Sequence, residues 1–237
     1  MLVLNDAFKE KIINRYQKDG IEWLNNFNTV VDKYKYMFNL SNIKILDNLS
    51  INIIIKAKSK DFGEVIMKIG ALGMTFLNEI KYINLLSLDN MVKCYYYNTD
   101  DRVMILENIY PGYNLTNVES FDERLKIFSM LVNDICKNSN HLSEFPTYRD
   151  RLKDKISNIT NLDGINSDVL EMLLVANNMY DEISSMNLPK YVLDNDLQHK
   201  NILKGEIGWK MIDPHGVVGE KFLKHVNLLK QNYLVIV

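Results

Sequence analysis

Three side chains in the last quarter of the sequence have the types and spacing for phosphoryl-transfer chemistry. Within Tyr191–Gly216, YVLDNDLQHKNILKGEIGWKMIDPHG, Asp196 is followed five residues later by Asn201 and twelve residues after that by Asp213. Transfer of a phosphoryl group from a nucleotide needs one carboxylate to meet the substrate hydroxyl. It also needs an amide oxygen and a second carboxylate to hold Mg²⁺ against the phosphates. Asp196 is accordingly the candidate base, or the group that orients the attacking hydroxyl. Asn201 and Asp213 are the candidate Mg²⁺ ligands. Each has an ordinary alternative: a turn or helix-cap aspartate, a polar turn residue before Ile202-Leu203, and a strand-end Asp before Pro. The joint offsets outweigh these. Asp213 is the strongest single position, because a carboxylate closing the apolar strand 209–212 is costly to bury unless a cation satisfies it.

A second set lies upstream. Lys68 interrupts the otherwise apolar Val65-Ile66-Met67-Lys68-Ile69, where an ammonium would suit nucleotide phosphates and would need a carboxylate to hold it. Glu79, eleven residues on and in a helical stretch, is the natural partner. By itself Lys68 fits an edge-strand lysine with its head in solvent; within the whole layout the phosphate role is favoured. Glu107 and Asn108 end a strand at which backbone groups could meet an adenine edge. Ser50 and Asn52 lie between two strands, where a phosphate-covering loop belongs, although no Gly-x-Gly-x-x-Gly occurs there. His199 and His215 read as structural histidines.

The elements that must position these groups follow from periodicity. Residues 6–37 are helical, with Gly20 expected to divide them into two helices. Strands are expected at 43–46, 51–57 and 64–69, then a helix at 74–86, then strands at 91–97 and 102–107. After Pro111-Gly112 the pattern turns helical, over 121–138, 148–159 and 168–185. The expectation is an α+β chain with an N-terminal lobe at 1–108 and a helical C-terminal lobe at 109–237 that carries the catalytic segment 191–219.

Bulk properties narrow the class. A hydrophobic content of 47%, a charged content of 24% and a net charge of −2 are ordinary for a globular protein and give no reason to expect a nucleic-acid surface. No apolar run reaches transmembrane length, and the N-terminus lacks the features of a secretory signal. Cys94 and Cys136 have no metal-ligand spacing. A cytoplasmic protein with reduced thiols and neither a membrane nor a nucleic-acid partner is expected.

The stretch Asp194-Asn195-Asp196-Leu197-Gln198-His199-Lys200-Asn201-Ile202-Leu203 resembles the His-Gly-Asp-Leu-His-x-x-Asn-(Ile/Val)-Leu segment of the aminoglycoside/hydroxyurea antibiotic-resistance kinases, a group typified by streptomycin phosphotransferase. Ile212-Asp213-Pro214-His215-Gly216-Val217-Val218-Gly219 is similar to that family's Ile-Asp-Pro-Lys-Gly-x-x-Gly. The likeness extends to Glu22-Trp23-Leu24, Met67-Lys68-Ile69-Gly70, Glu79, and the hinge from Leu106-Glu107 to Pro111-Gly112, and so spans nearly the whole chain. The resemblance implies a protein kinase-like two-lobe fold, with a five-stranded antiparallel N-lobe sheet, one inserted helix and a mainly helical C-lobe. It implies ATP as donor, with GTP as the alternative, Mg²⁺ as cofactor, and a hydroxyl acceptor that is a cationic aminoglycoside such as streptomycin. An acidic wall for that acceptor could come from Asp163, Asp168, Glu171, Asp181 and Glu182, although a solvated helix face is the better reading of those charges.

Three departures stand out. Asp194 and Asn195 replace the family's His-Gly, and Gln198 replaces its second His. Asp194 would bring a second carboxylate near Asp196 and raise a pKa by repulsion, while Asn195 would take the positive φ that Gly serves. The chain also ends soon after the Asp-Pro-x-Gly strand, with the apolar run Leu234-Val235-Ile236-Val237. A shortened C-lobe and a homodimer through that run are the corresponding expectations. Two other readings stay open: a catalytically impaired nucleotide-binding relic, and a metabolic small-molecule kinase of the same fold.

Overall fold

The structure, a computed structural model, describes residues 2–47, 49–86, 88–135, 141–160 and 166–223. Cys136, Asp163 and the apolar run 234–237 lie outside the described residues. The chain divides into two compact units, 1–114 with 203–212, and 115–202 with 213–237.

The first unit opens with helix α1, Asp6–Met37, whose first turn is capped by the Asn5 side chain accepting the Phe8 N–H (2.7 Å). The helix breaks where Gln17 adopts φ 51°, ψ −128°, three residues before the expected break at Gly20. Gly20 serves packing instead. A Cβ there would lie 2.7 Å from the Ile12 carbonyl oxygen, so the missing side chain lets the two halves of α1 approach across the kink.

Strands β1 (Ser41–Ile45), β2 (Ile53–Ser59), β3 (Gly63–Ile69), β4 (Cys94–Asn98) and β5 (Val103–Glu107) form an antiparallel sheet in the order β1-β2-β3-β5-β4. Helix α2, Met74–Leu86, is inserted after the third strand. This is the expected five-stranded arrangement with one helix. Alternation along β2 and β3 sends Ile53, Ile55, Ala57, Val65, Met67 and Ile69 into a core shared with Phe8, Ile12, Phe27, Val31 and Tyr34 of α1. The Tyr34 hydroxyl donates to Asp101 (2.7 Å), and Lys33 pairs with the same carboxylate, fixing α1 to the β4–β5 turn.

β1 starts two residues earlier than the sequence reading has it, and β2 and β4 start two and three residues later. The apolar stretch at 91–93 does not open β4, because Met91 bridges Met211 and the Val92 N–H donates to the Met211 carbonyl (2.9 Å). β2 starts at Ile53 because Asn52 turns its side-chain oxygen to the Ala71 N–H (3.0 Å). The same bridging draws 203–212 into the first unit. Strands β7 (Ile202–Lys204) and β8 (Trp209–Met211) pair with each other, Leu203 bridges Asn114, and the Met211 N–H donates to the Asn90 carbonyl (2.7 Å).

The second unit holds helices α3 (Phe121–Ile135), α4 (Tyr148–Thr160) and α5 (Ser167–Ser185), and the antiparallel pair β6 (Lys190–Asp194) and β9 (Gly216–Glu220). α5 is capped by Asn166, whose side chain accepts the Asp168 N–H (2.8 Å). Among the described residues no helix is long and apolar enough to cross a membrane.

Gly20→Ala should lower the unfolding free energy by about 1–3 kcal/mol, the usual cost of forcing extra volume against fixed backbone. Urea denaturation of the two proteins side by side checks this.

Candidate active site

In the first unit, pairing across the sheet lines up Ile54, Lys68 and Met104 on β2, β3 and β5. Period-two alternation turns Lys68 away from the face that packs on α1. On α2, Phe76, Glu79, Ile80, Ile83 and Leu86 share one buried helix face by their three- and four-residue spacing. The structure therefore brings Lys68 and Glu79 together: Nζ lies 2.7 and 2.8 Å from the two carboxylate oxygens, and both residues are 2% exposed. A bidentate pair this deep is fixed in place, since neither charge can be left alone.

The remaining upstream candidates are placed as follows. Ser50 is exposed in the β1–β2 connection. The Glu107 carboxylate accepts the Lys93 N–H (2.7 Å) and pairs with Lys210. The Asn108 N–H donates to the Glu64 carbonyl at 3.4 Å. The Lys210 pairing was not anticipated from sequence. Its signal was the one used for Lys68, a lysine inside an apolar strand that needs a carboxylate.

The second unit gathers the downstream set by strand pairing. β6 and β9 run antiparallel with Asp194 opposite Gly216, so the loop leaving β6 and the turn entering β9 emerge at the same end of the ladder. The first carries Asp196 and Asn201, the second Asp213. Asn201 is 5% exposed, and its Nδ2 donates to the Asp196 carbonyl (2.9 Å) and to Asp196 Oδ2 (3.3 Å). Gln198 Nε2 donates to Asp196 Oδ1. This fixes the half-buried Asp196 side chain at both oxygens and gives Gln198 a role that sequence reasoning missed. Asp213 takes φ 55°, so the left-handed residue of the site is Asp213 and not Asn195, which has no positive φ. Such a backbone angle in a non-glycine residue costs energy and persists where the surroundings enforce it. His199 is buried with its ring edge-on to Phe128 at 5.9 Å between centroids. Burial and the Arg124 charge push its pKa down, which suits a neutral structural imidazole.

Asp194 is 3% exposed, and burial raises its pKa from 3.8 to about 7. The charges of Asp196 and Asp213 push the same way, against the two backbone N–H groups that its Oδ1 accepts. The carboxylate repulsion expected from sequence thus falls on Asp194 itself, with desolvation as its larger cause.

The donor set fits Mg²⁺. Asn201 uses its amide N–H groups on Asp196, leaving Oδ1 without a hydrogen bond among the described residues. One amide oxygen and one carboxylate suit a cation that keeps water and substrate phosphates in its other positions. No group of three or more His, Cys, Asp and Glu that could hold a metal ion occurs among the described residues.

The family model described as aminoglycoside/hydroxyurea antibiotic resistance kinase matches residues 81–233, more than half of the chain. The chain belongs to this family. It is a small-molecule kinase, a phosphotransferase acting on a hydroxyl. No curated protein matches it. Solved structures of the same fold include choline kinase LicA from Streptococcus pneumoniae, with a TM-score of 0.68 and 13% identity over 85% of this chain and 73% of that one. A thermostable variant of aminoglycoside phosphotransferase APH(4)-Ia, in a ternary complex with ADP and hygromycin B, gives 0.62 and 11% over 85% and 77%. The streptomycin–ATP–APH(2")-IIa ternary complex gives 0.59 and 10% over 97% and 76%. The fold of the chain is thus protein kinase-like. The family match covers Asp196, Asn201 and Asp213 but begins just after Glu79.

Glu79→Ala should destabilise the protein by about 3–5 kcal/mol by stranding a buried ammonium, and Lys68→Met with Glu79→Met should recover most of that loss. Chemical denaturation of the single and double variants checks it. A second expectation concerns pH. The neutral Asp194 carboxyl is favoured in the folded state, so its stabilisation is complete below pH 3.8 and is lost as pH rises through about 7. At about 1.4 kcal/mol per pH unit, the loss is on the order of 4 kcal/mol. Asp194→Asn should flatten the metal-free stability profile between about pH 4 and 7, as followed by Tm.

Proposed function

We propose that this protein is an ATP-dependent O-phosphotransferase that inactivates a cationic aminoglycoside, with streptomycin the first acceptor to test. The observation that carries the reading is the hydrogen-bonded Asp196–Asn201 pair at the same end of the β6–β9 ladder as Asp213. Family membership supports the acceptor class. The streptomycin complex of APH(2")-IIa supports streptomycin itself as the first trial.

Asp196 orients the acceptor hydroxyl and takes its proton as the new O–P bond forms and the bond from the γ-phosphorus to the departing ADP oxygen breaks. Gln198 and Asn201 restrict the carboxylate to one rotamer, so that its lone pairs meet the hydroxyl without reorganisation. Lys68, held by Glu79, binds the nucleotide phosphates. Ser50 belongs to the connection that covers them, and the Glu107–Asn108 backbone meets the base. Asn201 and Asp213 would hold Mg²⁺, which supplies charge neutralisation on the phosphates when bound. With chemistry of this kind, positioning and electrostatics supply most of the rate.

An amino alcohol acceptor is the second reading, favoured by the likeness to choline kinase LicA. The acidic residues of α5 do not separate the two. Asp168, Glu171 and Glu182 are exposed, and Asp181 is paired with Arg149. They form a solvated helix face.

Phosphate transfer from ATP and from GTP, with Mg²⁺, to streptomycin, other aminoglycosides, choline and ethanolamine tests the proposal. Turnover of an aminoglycoside is expected, and Asp196→Asn should lower kcat at least about 100-fold. Turnover of choline or ethanolamine alone selects the amino alcohol reading. Nucleotide-dependent thermal stabilisation without any turnover would instead point to a nucleotide-binding relic.

A further inference from the structure

We propose that Asp194 is a positioning residue: a single buried carboxylate oxygen couples the loop that carries Asp196 to the turn that carries Asp213. The assignment of those two loops to catalysis rests on the function proposed above, whereas the coupling itself rests on geometry alone.

The β6–β9 ladder ends at Asp194 and Gly216, and beyond it the two chains separate. Past that point the Asn195 N–H donates to the His215 carbonyl at 3.3 Å. Asp194 Oδ1 adds one bond to each side. It accepts the Asp196 N–H at 2.9 Å and the His215 N–H at 3.2 Å. The Asp196 backbone is held from the other direction by Asn201 Nδ2 on its carbonyl (2.9 Å). A continuous set of hydrogen bonds therefore runs from the residue two beyond Asp213, through Asp194, to Asp196 and Asn201.

The cost of this arrangement argues for a specific role. Asp194 Oδ2 is buried and has no hydrogen-bond partner among the described residues. A half-satisfied carboxylate away from water is an expensive way to fill space. Besides the charge it presents to Arg151, this side chain provides what an apolar one cannot, an acceptor reaching two amides on separate loops at once. Asparagine keeps that acceptor in the same place, whereas alanine removes it.

The test compares wild type with Asp194→Ala and Asp194→Asn by two readouts. Amide hydrogen exchange, followed residue by residue by NMR, does not depend on any enzymatic activity. In Asp194→Ala, exchange at Asp196 and His215 should quicken by about 10-fold or more while Val192 and Leu193 in the ladder stay protected. Asp194→Asn should keep both amides protected. Steady-state kinetics with the acceptor that turns over should show kcat falling by about 100-fold in Asp194→Ala, with KM for ATP within about threefold, and recovering in Asp194→Asn. Unchanged exchange at both amides would overturn the proposal, as would equal kcat loss in both variants. Loss of protection spread evenly through β6 would also overturn it, by making the role merely structural. If Asp194→Ala does not fold, Asp194→Ser carries the same comparison, since its shorter hydroxyl falls short of the two amides. If the wild type phosphorylates nothing, the proposed function fails and the exchange data still decide the coupling.

Discussion

An ammonium group can be kept out of water only if a carboxylate meets it with good geometry, and the first unit is arranged around that requirement. Lys68 sits in the middle strand of a sheet whose other face is filled by α1, so it cannot reach solvent by turning over. α2 must therefore come back across the sheet at the height of Glu79, and its apolar residues at 76, 80, 83 and 86 fix that approach. The position of the inserted helix follows from one charge. The Lys210–Glu107 pair repeats the logic at the edge of the same unit, where greater exposure makes it less demanding.

The second unit handles charge differently. It buries an acid, Asp194, whose Oδ2 has no hydrogen-bond partner among the described residues although the Arg151 charge lies in its surroundings, and its carboxylates repel one another. Backbone N–H groups and side-chain amides do the holding instead. Asn201 and Gln198 fix Asp196, and two main-chain amides fix Asp194. Positive charge brought near these carboxylates would relieve their repulsion. Asp213 takes its left-handed φ in the short turn into β9, a region where aspartate is enriched among non-glycine residues.

The family match runs from residue 81 to 233 and includes all three downstream candidates. Similarity to solved kinases at 10–13% identity extends over 85–97% of the chain, and at that identity it speaks for the fold. A fold shared at such low identity is held by patterns of burial and pairing, which many sequences satisfy. Acceptor choice depends on side chains outside those patterns, so fold by itself does not fix the acceptor.

The element order, the antiparallel sheet with its inserted helix and the family were legible in the sequence, because local periodicity and short motifs encode them. The candidacy of Asp196, Asn201, Asp213, Lys68 and Glu79 rested on the same kind of signal, because their spacing is a property of the chain; that Lys68 meets Glu79 and that Asn201 meets Asp196 is what the structure adds. Where α1 breaks was not legible, since Gln17 gives no local warning and Gly20 answers to a contact with Ile12 across the kink. Nor was the late start of β4, because Met91 and Val92 find partners in a strand more than a hundred residues away. The part played by Asp194 depended on tertiary structure most of all. By sequence it was a missing histidine; only the pairing of β6 with β9 brings the His215 N–H within reach of its carboxylate, which packing removes from water. Spacing along the chain fixes which groups exist and on what elements, whereas desolvation and long-range hydrogen bonds are decided by packing.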